Sequence, residues 1–587
     1  MSTERGDFMI LPNKWGQGQI FAFSALDGIS LHGSDFVGTL SSDRIGIIFH
    51  TKTKRELFIA NIENTALDFE TLVMGNVIKN PDPHFTAVLS DMICLDTAFG
   101  TDRIIYAERH LIIGEIPCGQ ILVNTDRPVQ IKKSDGIQLH DTGDGEFTAL
   151  YALENKFSFA YGASEEAALA LAKKGMSLNV AAEAKKKLKL YESFSLAEDC
   201  PDAMLFSKCL SVMKSQLYSS EGKFRHTWST PDRLPHKNLW LWDSVFHAIG
   251  FRNINPALAE DLISALFDVA HEDGFIAHMS LPHMSSEITQ PPVIAFGSYL
   301  VYEKSKSKNF LKNVFEYNGR FLKWCDRNRR LTERKLYSWH VSEDIHCRCD
   351  ESGMDNSPRF DTKNPLYAID FSCYMANEMR FMAKIADELG LANEAVYYSA
   401  EFEKIKSAIN ELLWDSEDGF YYDYDLKEQR LHKVAAISSF LPLFAGVADE
   451  NQAKALYLHL KNPDEFYTAV PIPCISKKDK TFGSDMWRGP MWINYNYMLS
   501  HALKTYGFSE LAEEIIDKTL KTVNYWYNIT GTVFEFYDST NKLPPYAQMR
   551  KGEPFMPYMF DIKYQTIRDY GWSSTLTFDL LCHKYGK

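Results

Sequence analysis

Near residue 164 the amino-acid pattern of this 587-residue chain changes character, and that change constrains the fold more than any other feature. Before it, from about Phe8 to Tyr161, short apolar or alternating runs such as Arg44-Ile-Gly-Ile-Ile-Phe-His50 and His110-Leu-Ile-Ile-Gly114 are separated by Asp, Gly, Asn and Pro. Many such runs in succession, each bounded by turn formers, predict an all-β sandwich over residues 1–163. From Ser164 onward come strong helix formers, as in Glu165-Glu-Ala-Ala-Leu-Ala-Leu-Ala-Lys-Lys174, and a helical linker is expected over 164–199.

After Asp199 strand signals nearly vanish. Helix-like segments follow at about 203–219, 243–252, 256–270, 292–304, 308–328, 366–389, 393–413, 434–446, 450–460, 490–506, 508–526 and 572–584. In the segment that opens at Phe508, Leu511, Ile515, Ile516 and Leu520 share one face, which is a core signal. Twelve helices fit two rings of six, so an (α/α)6 barrel is expected over 200–587. A helical solenoid would need a fixed repeat of roughly 30–45 residues, and none is present. Two or more domains are required in any case, because one hydrophobic core stops growing near ~250–300 residues.

The net charge of -14 opposes a nucleic-acid partner, which would call for a basic footprint. A small or neutral ligand fits better. With no membrane-length apolar stretch and no apolar leader at Met1–Pro12, a soluble, cytoplasmic protein is expected. Ten cysteines without framework spacing fit reduced thiols. Cys347 and Cys349 beside His346 lack a second ligand pair, so neither a metal nor a cofactor is expected.

Four clusters at the ends of predicted helices carry chemistry-bearing residues. In Leu239-Trp-Leu-Trp-Asp243, Asp243 reads as a helix cap, while Trp240 and Trp242 beside a carboxylate also suit a sugar, ring faces stacking on C–H patches. The segment Asp350-Glu-Ser-Gly-Met-Asp-Asn-Ser-Pro-Arg-Phe-Asp361 is a loop by its Gly353, Asn356 and Pro358. It reads as a solvated turn, or as a site in which crowded acids raise the pKa of Asp355 for proton donation. In Trp487-Arg-Gly-Pro-Met-Trp492, Pro490 suits a first helical turn, with Trp492 just inside the helix; core packing would explain the tryptophans but not Arg488. Taken alone, Gly531-Thr-Val-Phe-Glu-Phe-Tyr-Asp538 reads as an edge strand with Glu535 outward.

These clusters, in this order, resemble glycoside hydrolase family 63 over roughly residues 200 to 587, and more loosely the trehalases. The resemblance implies that Asp355, in the E-S-G-Met-D-N-S-P-R loop, is the general acid and that Glu535, in an E-x-Y type segment after W-R-G-P, is the general base. It implies a sugar subsite at Trp240, Trp242 and Asp243. Asp273-Gly-Phe-Ile-Ala-His278 and Gln290-Pro-Pro292 add His278 and Gln290, and Gly353, Trp487, Arg488 and Trp492 match as well. Met354 stands where many relatives have Trp, and Met486 where some have Tyr.

An inverting exo-acting hydrolase of a small α-glucoside follows as the expectation, the two carboxyl groups being about 6.5–9.5 Å apart to admit a water. The four tryptophans would wall the pocket, and Asp243, His278, Gln290 and Arg488 would hold sugar hydroxyls. Hydrolysis of mannosylglycerate or glucosylglycerate is the alternative, with Arg550 and Lys551 either meeting the glycerate carboxylate or lying solvated. A carbohydrate-binding protein without turnover and a phosphorylase are the readings from other classes; retention of both carboxylates disfavours the first, and Glu535 the second.

Overall fold

The computed structural model describes residues 10–13, 20–23, 37–41, 44–50, 56–61, 84–97, 99–117, 121–125, 128–220, 222–232, 236, 238–331, 336–344, 346–552 and 566–587. Thirteen strands precede the first long helix of the described residues: β1 (Ile20–Phe23), β2 (Val37–Ser41), β3 (Arg44–His50), β4 (Glu56–Asn61), β5 (His84–Val88), β6 (Met92–Thr97), β7 (Gly100–Glu108), β8 (Leu111–Glu115), β9 (Ile121–Thr125), β10 (Gln130–Ser134), β11 (Ile137–Asp141), β12 (Phe147–Leu153) and β13 (Lys156–Gly162). They form two antiparallel sheets, of order β1-β2-β3-β4-β9 and β10-β11-β12-β13-β8-β7-β6-β5.

Successive side chains of a strand face opposite ways, and the larger sheet buries both of its faces except at its edge strand β10, which is exposed throughout. On one side Val88, Ile93, Leu95, Tyr106, Ile112, Phe157 and Phe159 cluster with Ile121 and Val123 of β9, which brings the smaller sheet against the larger. On the other side Leu89, Met92, Cys94, Ile105, Leu111, Ile113 and Ala160 join the helical core. Burial on both faces is why Leu111-Ile-Ile113 is an unbroken apolar run where a half-solvated strand would alternate.

Helices α1 (Glu165–Ser177) and α2 (Val180–Ser193) occupy the stretch expected as a linker, capped by Ser164 and Asn179. α1 lies on β12 and β13, where a Cβ on Gly175 would come within 2.1 Å of Ser158 Oγ. Among the described residues twelve more helices follow: α3 (Ala203–Ser215), α4 (Leu241–Phe251), α5 (Pro256–Asp268), α6 (Ile294–Ser305), α7 (Lys308–Asn328), α8 (Ile369–Leu389), α9 (Ala392–Leu412), α10 (Leu441–Ala445), α11 (Glu450–Leu460), α12 (Ile493–Thr505), α13 (Ser509–Thr530) and α14 (Gly571–Tyr585).

Every second helix belongs to a closed circle: α4 packs on α6, α6 on α8, α8 on α10, α10 on α12, α12 on α14, and α14 back on α4. α4 is buried along its whole length, and α14 from Gly571 to Cys582, whereas α9 buries only Ala395, Tyr398, Ile405 and Ile409. A helix apolar all round belongs inside, and a helix with one apolar stripe belongs outside. The described residues contain no helix long and apolar enough to cross a membrane, and their nine cysteines are free thiols.

Three of the outer helices are capped by their own sequence, and none of the inner ones is. α5, α7 and α11 carry their own N-caps in Asn255, Ser307 and the Asp449–Gln452 capping box. α4, α6, α8, α12 and α14 start after Trp240, Val293, Ala368, Trp492 and Tyr570, none of which caps through its side chain. Neighbouring segments supply acceptors for the free N–H groups. Gln290 Oε1 accepts from Trp242 N at 3.2 Å, Glu378 from Ala295 N at 2.9 Å and Phe296 N at 3.2 Å, and Asp423 from Ile369 N at 2.9 Å.

Candidate active site

The Asp355 loop is built from two 3-10 turns, Asp350–Ser352 and Pro358–Phe360, with Gly353 between them at φ +69°. A Cβ on Gly353 would lie 2.4 Å from Trp242 Cζ2, so glycine lets the loop rest on that indole. Arg359, fully buried, fixes the other side: its Nη2 donates to Asp370 Oδ1 at 3.0 Å and its Nε to Asp423 Oδ2 at 2.8 Å, which ties the loop to the start of α8. Trp487 N donates to Asn356 Oδ1 at 3.0 Å. Arg488 donates to Asn356 O at 2.8 Å and to Asp361 Oδ1 at 2.7 Å. Arg488 is therefore a strut of the loop, where a hydroxyl ligand was expected. Glu351 is consumed inside the scaffold by Arg329 at 2.7 Å and by the N–H groups of Thr289 and His340.

Glu535 lies on an extended segment held between two others: Met491 exchanges backbone hydrogen bonds with Tyr537, and Glu535 N donates to Ile567 O at 2.9 Å. The edge strand with an outward acid is thus corrected, for Glu535 is 2% exposed, because the segment is covered on both sides. Its carboxylate accepts from Arg550 Nε at 2.9 Å, from Arg550 Nη2 at 3.1 Å and from Ile567 N at 3.2 Å. Behind it Asp569 gathers Thr532, Val533 N and Lys208, and so fixes the segment to α3.

Arg550 and Lys551 are consecutive, and each engages one of the two expected catalytic carboxylates. Lys551 Nζ is 2.8 Å from Asp355 Oδ2 and 2.8 Å from Cys347 Sγ. Neither residue is a solvated charge: Arg550 is 3% exposed and the Lys551 side chain 11%. Their charges set the local electrostatics. Burial pushes the Asp355 carboxyl up, but the charge and hydrogen bond of Lys551 and the charge of Arg550 outweigh it and hold Asp355 below its ordinary value. The raised carboxyl of the loop is Asp350, pushed up to about 6 by burial and by the charge of Asp355. The expectation that crowding by acids raises the Asp355 pKa is therefore overturned by one lysine from a distant loop.

Asp243 is buried in the first turn of α4, one oxygen without a hydrogen-bond partner, so it does not serve as the cap that its position suggested. Burial, then the charges of Asp232 and Glu535, push it well above the usual carboxylate range. Trp240 is half-buried and edge-on to His278, with ring centroids 5.0 Å apart. His278 pairs with Ser286, and burial pushes it down to about 4, so it is neutral near pH 7. Gln290 spends its carbonyl oxygen on the α4 N-terminus. Trp487 and Trp492 are fully buried and stacked at 3.8 Å; they back the site instead of walling it, and Trp492 is the N-cap of α12, just outside the helix.

Two residues went unread in the sequence. Trp572, at the start of α14, stands edge-on to Trp242 at 5.0 Å and 5.8 Å from Trp492, with its indole N–H unpartnered. Tyr570 sits among Asp243, Glu535 and Arg550, whose charges act on its hydroxyl. The available signal was position, since Trp242, Trp492 and Trp572 all fall at starts of helices in the closed circle. One cluster of potential metal-binding atoms occurs among the described residues: Cys347, Asp350 and Asp355, within 4.8 Å of one another. The Lys551 ammonium already supplies the positive charge there, and these side chains are its partners, not metal ligands.

Residues 236–573, which contain all of these groups, match the family described as the mannosylglycerate hydrolase MGH1-like glycoside hydrolase domain. The chain belongs to glycoside hydrolase family 63. An uncharacterised protein of Borreliella burgdorferi is 27% identical over 283 residues, 48% of this chain; the chain spans 55% of that protein's length. A mannosylglycerate hydrolase of Thermus thermophilus is 26% identical over 394 residues, 54% of this chain and 91% of that protein. In fold, a bacterial glucoamylase solved with acarbose superposes with a TM-score of 0.61 at 10% identity, over 99% of this chain and 96% of that one. Membership places the chain in a family of glycoside hydrolases, and the glucoamylase likeness extends the shared fold to the N-terminal sheets.

Proposed function

We propose that this protein is an inverting, exo-acting glycoside hydrolase, an (α/α)6 barrel behind an N-terminal β-sandwich. Its substrate is a small α-glycoside whose leaving group carries a carboxylate, of the mannosylglycerate or glucosylglycerate type. The observation that carries this reading is the engagement of Glu535 and Asp355 by the consecutive residues Arg550 and Lys551. Because Arg550 and Lys551 are neighbours in the chain, these contacts support a shared site for the two acids, with a buried cation next to the proposed proton donor. The closed order of helices α4 to α14 supports the barrel.

In this reading Asp355 protonates the glycosidic oxygen as its bond to the anomeric carbon breaks. Glu535, oriented by the Arg550 fork and the Ile567 N–H, takes a proton from the water that attacks the opposite face, and the configuration inverts. Asp243, with its unpartnered oxygen, receives a sugar hydroxyl, and the half-exposed Trp240 offers a stacking face.

The test is turnover of α-mannosylglycerate, α-glucosylglycerate, the neutral α-glucosylglycerol, maltose and an aryl α-glucoside, with NMR of the first-formed anomer. One of the two glycerates should be cleaved fastest, releasing the β-anomer first. Faster cleavage of the neutral α-glucosides would return the substrate to the α-glucoside expected from sequence, and a first-formed α-anomer would remove inversion. Asp355→Asn and Glu535→Gln should each lower kcat by about 10²–10⁴-fold. Both should melt somewhat earlier than the parent, because each substitution leaves a buried cation, Lys551 or Arg550, without its counter-charge.

A further inference from the structure

Lys551 holds the expected proton donor in the wrong state for the reaction. A carboxylate against an ammonium at 2.8 Å is ionised, whereas a general acid must carry a proton. The contact is built in, not incidental. Lys551 takes a left-handed backbone conformation, φ +56°, that a residue with a side chain rarely adopts. Its carbonyl meets His346 Nδ1, the following Gly552 N donates to Asp485 Oδ2 at 3.0 Å, and a Cβ on Gly552 would come within 2.8 Å of His346. The backbone is thereby fixed, and the side chain reaches inward to Asp355 and Cys347.

The charged and titratable groups around Asp355 come from several segments. Asp350 and Cys347 lie on its own loop, His278 on the segment after α5, Glu351 is committed to Arg329, and Arg550 is committed to Glu535. Of the two basic residues at the site, Arg550 is the one fixed by a two-nitrogen fork, whereas Lys551 holds its partners through a single nitrogen on a flexible stem. Lys551 is therefore the cation that can change partners.

We infer that Lys551 is a lock on the proton donor that the substrate itself opens: the carboxylate of an anionic leaving group takes the Lys551 ammonium, and Asp355, relieved of its cation, takes a proton from solvent. This rests on the anionic-substrate reading given above. It makes Lys551 a specificity-determining and positioning residue. Neutral glycosides bind without opening the lock, and glycerate glycosides arm the acid as they bind. Asp350 and Asp355 titrate as a pair, so the proton taken up belongs to the pair, with Asp350 held at about 6 in the locked state.

Two measurements on the full chain test it. Calorimetric titration with D-glycerate at pH 7, in buffers of differing ionisation enthalpy, should show uptake approaching about one proton per site. Asp355→Asn should bind D-glycerate without proton uptake. Glycerate binding with no proton uptake by the parent protein would overturn the lock. In the second measurement, the parent should favour the glycerate glycoside over the glycosylglycerol by about tenfold or more in kcat/KM, and Lys551→Met should cut that preference to about twofold, mostly through KM. Lys551→Met should also move the alkaline limb of kcat/KM, which reports the free enzyme, to higher pH, because the acid no longer sits beside a positive charge. Preference and limb both unchanged in a variant that melts like the parent would overturn the lock while leaving the anionic substrate standing. A parent protein that shows no preference for glycerate glycosides would overturn both.

Discussion

Gly353 stands two residues before the proposed acid and meets two demands, a left-handed φ and passage over the Trp242 ring. Gly353→Ala should cost about 1–3 kcal/mol from backbone strain and overpacking. Because relief would move Asp355, kcat should fall further than stability alone requires; thermal melting and turnover of the same sample separate the two effects. The loop itself was legible in the sequence, since Gly353, Asn356 and Pro358 oppose regular structure and an acid fixed among them has nowhere to fray. Lys551 was not. A lysine beside glycine looks like any surface turn, and only the fold reveals that the turn of Lys551 and Gly552 closes onto the Cys347–Asp355 segment. Trp572 was hidden differently, since a tryptophan at a helix start has the same one-letter signature whether it packs a core or floors a pocket.

Helix starts explain where the sequence placed elements well and where it slipped. The helices with their own caps begin where expected, at Pro256, Lys308 and Glu450. Three of those without, α4, α8 and α12, begin at Leu241, Ile369 and Ile493, two to three residues from the expected positions, and the groups that accept from the first N–H donors of α4 and α8 are remote in sequence. Glu378, on α8, is such a remote cap for α6, and burial pushes it up to about 7. The folded state therefore holds a proton there that the unfolded chain has released between pH ~4.5 and ~7, so this group's contribution to stability falls as pH rises through that window, by roughly 3 kcal/mol at most. Glu378→Gln should flatten that part of the melting-temperature profile. Arg359→Met should cost about 3–5 kcal/mol, since it strands Asp370 and Asp423 without their cation; urea unfolding measures it, and a loss under 1 kcal/mol would mean that water or another donor replaces the guanidinium.

On the scale of the molecule, the two regions share one core, and their seam carries a buried charge cluster. Asp91, in the turn between β5 and β6, meets Lys214 of α3 at 2.7 Å and Lys187 of α2 at 3.4 Å. Asp91→Asn should lower stability by about 3–5 kcal/mol through the two stranded ammonium groups, and calorimetry should show the sheets melting ahead of the helices. That both faces of the larger sheet are covered was written in its unbroken apolar runs; what covers them was not, because an apolar strand face records burial without naming its partner. The circle of helices also gives the protein a polar axis. Starts of α4, α8, α12 and α14 gather around the two carboxylates, while Arg252, Lys304, Lys504, His583 and Lys587 line a hollow where α4, α6, α12 and α14 end. Aligned peptide dipoles make the first end positive and the second negative, and the basic residues offset the latter. A molecule of net charge -14 repels anions at long range, so for the anionic substrate proposed above added salt should speed capture from a distance while weakening its contact with Lys551 once bound.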